Sequence, residues 1–199
     1  MEKRLKQFWV LDFDRCLADV DMLVELFVDI AYSRVSFDRS LLDKERINAE
    51  QQGISFDQYE AISRFIPASG MKEIEHAFIT SPQARSARCR GADKLIAYLS
   101  HSPERRAAIL TYGSKKWQTL KIQAAFRDNI SLPYQIISHP NKAREIASWF
   151  NADSGLFYIP ELLCDHTIAE EIVLVDDKAI AFQDMPKHTR GYWFQQGTL

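Results

Sequence analysis

Two carboxylates stand two residues apart where an apolar run gives out: Phe8-Trp9-Val10-Leu11-Asp12-Phe13-Asp14. Side chains on a strand alternate faces, so Asp12 and Asp14 share a face only while the chain stays extended. At the carboxyl edge of a parallel sheet, where open α/β folds bind ligands, such a pair can do chemistry. One carboxylate can attack an electrophile while the other moves protons, and both are close enough to share a cation. Taken alone, Asp-x-Asp after an apolar run is common, and the pair reads first as a buried strand entering a polar turn.

Three later stretches have the same form. Ala107-Ala108-Ile109-Leu110 ends in the hydroxyl of Thr111, and the turn Tyr112-Gly113-Ser114 follows. Tyr134-Gln135-Ile136-Ile137 is a strand, and the next helix opens at Asn141-Lys142. Glu171-Ile172-Val173-Leu174-Val175 runs into Asp176-Asp177. A carboxylate pair, a hydroxyl, an ammonium and a second carboxylate pair on one sheet edge form a set suited to phosphoryl transfer.

The elements that must position this set alternate strand and helix, which implies a parallel sheet with crossovers. The expectation is an α/β protein: a Rossmann-like doubly wound parallel sheet with an all-helical insertion after the first strand. From Asp19 to about Arg88 the pattern is helical throughout, with Val20, Leu23, Val24, Phe27 and Val28 at three- and four-residue steps. Ser55 is a plausible N-cap for a helix carrying Tyr59 and Ile62. Residues 1–18 and 89–199 are assigned to the core and 19–88 to the insertion. A helix is expected from Lys115 to Phe126 and a last strand near Gly191-Tyr192-Trp193-Phe194. The segment 153–167 has no clear pattern.

These residues resemble the four motifs of the haloacid dehalogenase superfamily, in that family's order. Leu11-Asp12-Phe13-Asp14 resembles the first motif, Ile109-Leu110-Thr111 the second, Lys142 the third, and Leu174-Val175-Asp176-Asp177 the fourth. The helical insertion resembles a type C1 cap. The resemblance implies a phosphatase in which Asp12 is the nucleophile and Asp14 the acid and base. It implies Mg2+ held by Asp12, the main-chain oxygen of Asp14, and Asp177, with Asp176 as ligand or as orienter of a bound water. Thr111, Tyr112, Gly113 and Arg15 are its candidate substrate-binding residues, and Lys142 its charge-balancing lysine. The second aspartate favours a phosphatase over a dehalogenase. A phosphotransferase of the same fold, and a binding or regulatory protein with little turnover, are the alternatives.

The chain departs from the family pattern at two places. Arg15 stands where the family often has Gly, and Cys16 where it has Thr or Val; Cys16 reads as a small packing residue. Lys142 lies further before Asp176 than usual, which keeps Lys116 and Lys121 in reserve.

Bulk properties narrow the partners. The chain has 199 residues, 46% hydrophobic, with a formal net charge of -2, enough for a core and with no global field favouring nucleic acid or membrane. Three dispersed cysteines, Cys16, Cys89 and Cys164, read as reduced thiols of a cytoplasmic protein. The five histidines show no metal-ligand spacing, and Arg85, Arg88 and Arg90 read as a solvated basic face. The expected partner is a small phosphorylated substrate, and its identity and the oligomeric state are not encoded in any motif.

Overall fold

A computed structural model describes residues 3–34, 39–52, 56–127 and 132–194. In chain order the elements are strand β1 (Lys3–Leu11), helices α1 (Val20–Arg34), α2 (Arg39–Gln51), α3 (Gln58–Ser63), α4 (Ala68–Thr80), α5 (Pro82–Ser86) and α6 (Ala92–Ser100), strand β2 (Arg105–Tyr112), helix α7 (Lys115–Phe126), strand β3 (Tyr134–Ile137), helix α8 (Lys142–Ala147), and strands β4 (Phe150–Asn151), β5 (Leu156–Tyr158), β6 (Thr167–Asp176) and β7 (Thr189–Trp193). They fall into two compact units. One comprises Met1–Ala18, Arg88–Tyr112 and Ile130–Leu199; the other comprises Asp19–Ala87 and Gly113–Asn129.

The first unit is built on a seven-stranded sheet in the order β3-β2-β1-β6-β5-β4, with β7 also paired to β6. β1 is central and parallel to both β2 and β6. Such a strand is buried on both faces and needs a near-continuous apolar run, which Phe8, Val10 and Leu11 supply, all fully buried. Phe8 and Val10 pack with Ala108, Leu110, Ile172 and Leu174. Full burial of such side chains is worth about 1.5–3 kcal/mol each.

β1 begins earlier than its apolar run. Its first half, Lys3 to Gln7, also pairs with β6, with Leu5 fully buried and its exposed charged side chains meeting partners there and in the turn before β2. Arg4 meets Glu170 at 2.8 Å and Lys6 meets Glu104 at 2.9 Å. The unassigned segment is also ordered: β4 and β5 form an antiparallel hairpin, and β5 runs antiparallel to β6. The outer edge of β6 is therefore shared, its first half by β5 and its second half by the parallel β7.

The second unit is helical. Phe27 of α1, Phe78 of α4 and Trp117 of α7 form an aromatic cluster, with ring centroids 4.8–5.7 Å apart, the range in which aromatic pairs attract. This cluster groups α7 with the insertion helices, although its place in the sequence is between β2 and β3. Ser55 lies outside the described residues. The helix that carries Tyr59 is capped by Asp57, which accepts from the main-chain N–H of Glu60 at 3.0 Å.

Candidate active site

Register decides which side chains meet at the carboxyl ends of the strands. Leu11 lies opposite Val175 on β6 and Ile109 on β2. Asp12 therefore follows β1 beside Asp176 at the end of β6, and its N–H donates to the Val175 oxygen at 2.9 Å. Thr111 lies two residues past Ile109 on the neighbouring strand.

Lys142 comes from the first turn of α8, which Asn141 caps by accepting from the Arg144 N–H at 3.0 Å. Its Nζ lies 2.9 Å from Asp12 Oδ1 and also donates to Asp176 Oδ2. All three groups are almost sealed from solvent: Asp12 is 4% exposed, Lys142 3% and Asp176 0%. Lys142 is thus the lysine that meets the carboxylates. Lys116 pairs instead with Glu75 at 2.6 Å, and Lys121 is buried with its ammonium 5.6 Å from the Trp117 ring centroid.

Burial sets the electrostatics. It pushes the Asp12 carboxyl up to about 7, Lys142 pulls against this, and Asp176 and Asp14 add to it. Burial alone would lower the Lys142 ammonium, but Asp12 and Asp176 outweigh it and hold the group above its ordinary range. Asp177, chiefly through burial, is also raised. Burial and then the charges of Asp12, Asp176 and Asp177 push the Cys16 thiol far up. A thiol held neutral is a poor nucleophile.

Asp176 has both oxygens engaged, Oδ2 by Lys142 and Oδ1 by the Lys178 N–H at 2.8 Å. Asp177 is different: its Oδ1 is buried and has no hydrogen-bond partner. An unpaired buried carboxylate oxygen is costly, and a cation is one remedy. Asp177, Asp12 and Cys16 each offer a ligand atom, all within 4.8 Å of one another. Two carboxylates are the hard donors that magnesium takes, so the residues present fit that ion. Thr111 Oγ1 is likewise buried without a partner, a hydroxyl still free to bond a ligand.

The loop after Asp12 is closed by main-chain bonds. Leu17 and Ala18 donate to the Phe13 oxygen at 3.0 Å, and Arg15 donates to Ala18 at 2.8 Å. Arg15 sits at φ 63°, the left-handed region that glycine enters without penalty, so the turn keeps its glycine-like geometry with an arginine in place. Arg15 is exposed, Asp14 and Tyr112 are half-buried, and Asp14 is close enough to raise Asp12. Gly113 belongs to the helical unit. There its φ is 143° and an added Cβ would stand 2.8 Å from the Gln118 side-chain nitrogen.

The sequence marked Trp193 only as part of a last strand, with no sign of its contact here. Trp193, at the end of β7, donates its ring N–H to the Asp177 main-chain oxygen at 2.8 Å, and the main-chain N–H of Phe194 donates to the Asp176 main-chain oxygen at 2.8 Å. The aromatic run near the C-terminal end thus holds the acidic turn. Arg88 pairs with Asp93 at 2.8 Å. The other grouping of potential metal ligands among the described residues, Glu161, Asp165 and His166, is fully at the surface.

No protein-family profile and no curated protein matches the sequence. Among solved structures, a protein described as a haloacid dehalogenase-like hydrolase from Burkholderia xenovorans LB400 superposes with a TM-score of 0.60 at 18% identity, over 95% of this chain and 84% of the other. This is the haloacid dehalogenase-like fold. The HAD-hydrolase YfnB from Bacillus subtilis, a structure bound to magnesium, matches with a TM-score of 0.47 at 13% identity over 87% of this chain and 79% of its own. The L-2-haloacid dehalogenase of Xanthobacter autotrophicus matches at 0.40 and 14%, over 89% and 71%. Neither is near enough in shape to bear on the chemistry. The α/β, Rossmann-like class expected from the strand and helix pattern is the class observed, with the β4–β5 hairpin as its antiparallel addition.

Proposed function

We propose that the chain is a phosphomonoester hydrolase that works with Mg2+ through an aspartyl-phosphate on Asp12. The observation that carries this reading is the buried trio of Asp12, Lys142 and Asp176 with the unpartnered Asp177 oxygen beside it. Asp12 attacks phosphorus, and the bond to the leaving oxygen breaks as Asp14 delivers a proton to it. Asp14, now a carboxylate, takes a proton from the water that cleaves the acyl phosphate. Lys142 offsets negative charge on Asp12 and the phosphoryl group, held in place by Asp176. Thr111 donates to a phosphoryl oxygen. Magnesium would be held by Asp12, the Asp14 main-chain oxygen and Asp177, and when bound supplies positive charge against the dianion.

Asp14 is also what separates this reading from dehalogenation, in which a halide leaves without needing a proton. The helical unit is assigned to substrate selection, and Arg15 and Tyr112 to the rim of the phosphate site. Cys16, Cys89 and Cys164 as thiols fit a reducing compartment, and we place the protein in the cytoplasm. Among the described residues no helix is long and apolar enough to cross a membrane.

The test is hydrolysis of a generic aryl phosphate by the purified chain, with and without magnesium. Turnover is expected only with the ion, and Asp12→Asn is expected to remove it by orders of magnitude. Asp12→Asn retaining more than about a tenth of the activity would end the aspartyl-phosphate mechanism, since loss of a nucleophile costs far more than that. A screen of phosphorylated metabolites then names the substrate.

A further inference from the structure

The loop that follows Asp12 brings a sulfur to the carboxylates. Phe13 accepts from both Leu17 and Ala18, and Cys16 lies inside the loop that these bonds close. Cys16 is 7% exposed, and a ligand atom from each of Cys16, Asp12 and Asp177 lies within 4.8 Å of the others. Thr or Val, the residues of the resembling family at this position, would bring no sulfur there. The third member, Asp177, is partly buried, and one of its carboxylate oxygens, Oδ1, is sealed from solvent and has no hydrogen-bond partner.

We infer that Cys16 is a metal ligand in reserve, and that the site binds thiophilic divalent cations such as zinc, cobalt or cadmium through one sulfur and the carboxylates of Asp12 and Asp177. Magnesium prefers an all-oxygen octahedral shell and gains little from a thiol. Zinc and its relatives take sulfur at about 2.3 Å and carboxylate oxygen at about 2.0–2.2 Å. Tetrahedral donors at those lengths stand on the order of 3.6 Å apart, so atoms already within 4.8 Å need side-chain rotation and no change of fold. On binding, the S–H bond breaks, the sulfur pair forms the metal bond, and the proton leaves to solvent. A thiophilic ion would then occupy the carboxylates that magnesium needs, which makes such ions competitors.

The inference rests on the cation-site reading above, and its test is independent of turnover. Cadmium is titrated into the metal-stripped chain while the ultraviolet thiolate-to-cadmium charge-transfer band is followed. The band is expected to grow to one equivalent, to persist in Cys89→Ser and Cys164→Ser, and to vanish in Cys16→Ser. No band in the unsubstituted protein, or a band that survives Cys16→Ser, overturns the inference. Should Cys16→Ser fail to fold, X-ray absorption on the zinc-loaded Cys89→Ser/Cys164→Ser chain decides, because Cys16 is its one thiol. A sulfur at about 2.3 Å supports the inference and an all-oxygen and nitrogen shell removes it. Aryl phosphate hydrolysis is measured on a separate, cadmium-free sample of the same chain with magnesium. A cadmium–sulfur band without hydrolysis removes the phosphatase and keeps this ligand; hydrolysis without the band does the reverse.

Discussion

Each unit holds a lysine–carboxylate grouping, and the two are built in opposite ways. In the sheet unit, Lys142 lies between Asp12 and Asp176 with all three sealed from water. In the helical unit, Glu75 takes the Tyr59 hydroxyl at 2.6 Å on one oxygen and Lys116 at 2.6 Å on the other. There half of the Lys116 side chain is in solvent. Burying charge costs free energy that mutual attraction repays only in part, so a buried trio is a poor way to hold a fold together. An exposed pair costs little and contributes little. The difference is one of burial: the sheet trio is sealed on every side, whereas the helical grouping is half in solvent at its lysine.

The comparison can be broken at Lys142. Lys142→Met leaves Asp12 and Asp176 facing each other without their cation. Unfolding in urea near pH 8 should show a loss of about 3–5 kcal/mol, the usual result of removing one partner from a buried ion group. Turnover should fall at least a hundredfold. A variant as stable and as active as the parent would mean that the lysine is ornamental.

A smaller effect comes from pH. The Asp12 carboxyl is raised to about 7 in the folded chain, against about 3.9 when unfolded. The folded state therefore binds more protons between these values, and stability falls as pH rises through that window. Thermal unfolding of the metal-free chain between pH 4 and pH 8 should show the midpoint dropping, and Asp12→Asn should flatten the curve. A midpoint that climbs instead would contradict the assigned environment of Asp12.

The helical unit should answer more weakly. Asp57→Ala removes the cap on the Glu60 N–H and is expected to cost about 1 kcal/mol by chemical denaturation, with turnover unchanged. Lys116→Ala should cost about 0.2–1 kcal/mol, shrinking as salt is added. A loss above about 2 kcal/mol at Lys116 would abolish the contrast between the groupings.

What the sequence made legible was tied to abrupt changes of residue type. Asp12, Thr111 and Asp176 each end an apolar run, so strand ends and chemical groups are read together, and Lys142 is marked by the helix start at Asn141. The first half of β1 was hidden because Lys3 to Gln7 has no apolar alternation; its partners on β6, Thr167 to Glu171, are far along the chain. The β4–β5 hairpin was hidden because strands of two and three residues carry no period. That α7 joins the insertion helices depends on Trp117 finding Phe27 and Phe78, which no local pattern records. The engagement of Asp176 by Lys142 and Lys178 is a tertiary matter, and adjacent aspartates do not reveal which one is occupied.

The parallel register of β1 on β6 has a consequence for folding fidelity. The pairing that sets Phe8 opposite Ile172 and Val10 opposite Leu174 also sets Leu11 opposite Val175, and with it Asp12 beside Asp176. A slip of one residue would turn every β1 side chain to the other face, leaving strands of the same length but with Asp12 moved off Lys142. The Asp12–Lys142 contact therefore reports on assembly: a preparation with full secondary structure but without that contact would hold a misregistered central strand. The observed alignment is the one that brings the Lys142 ammonium between two carboxylates.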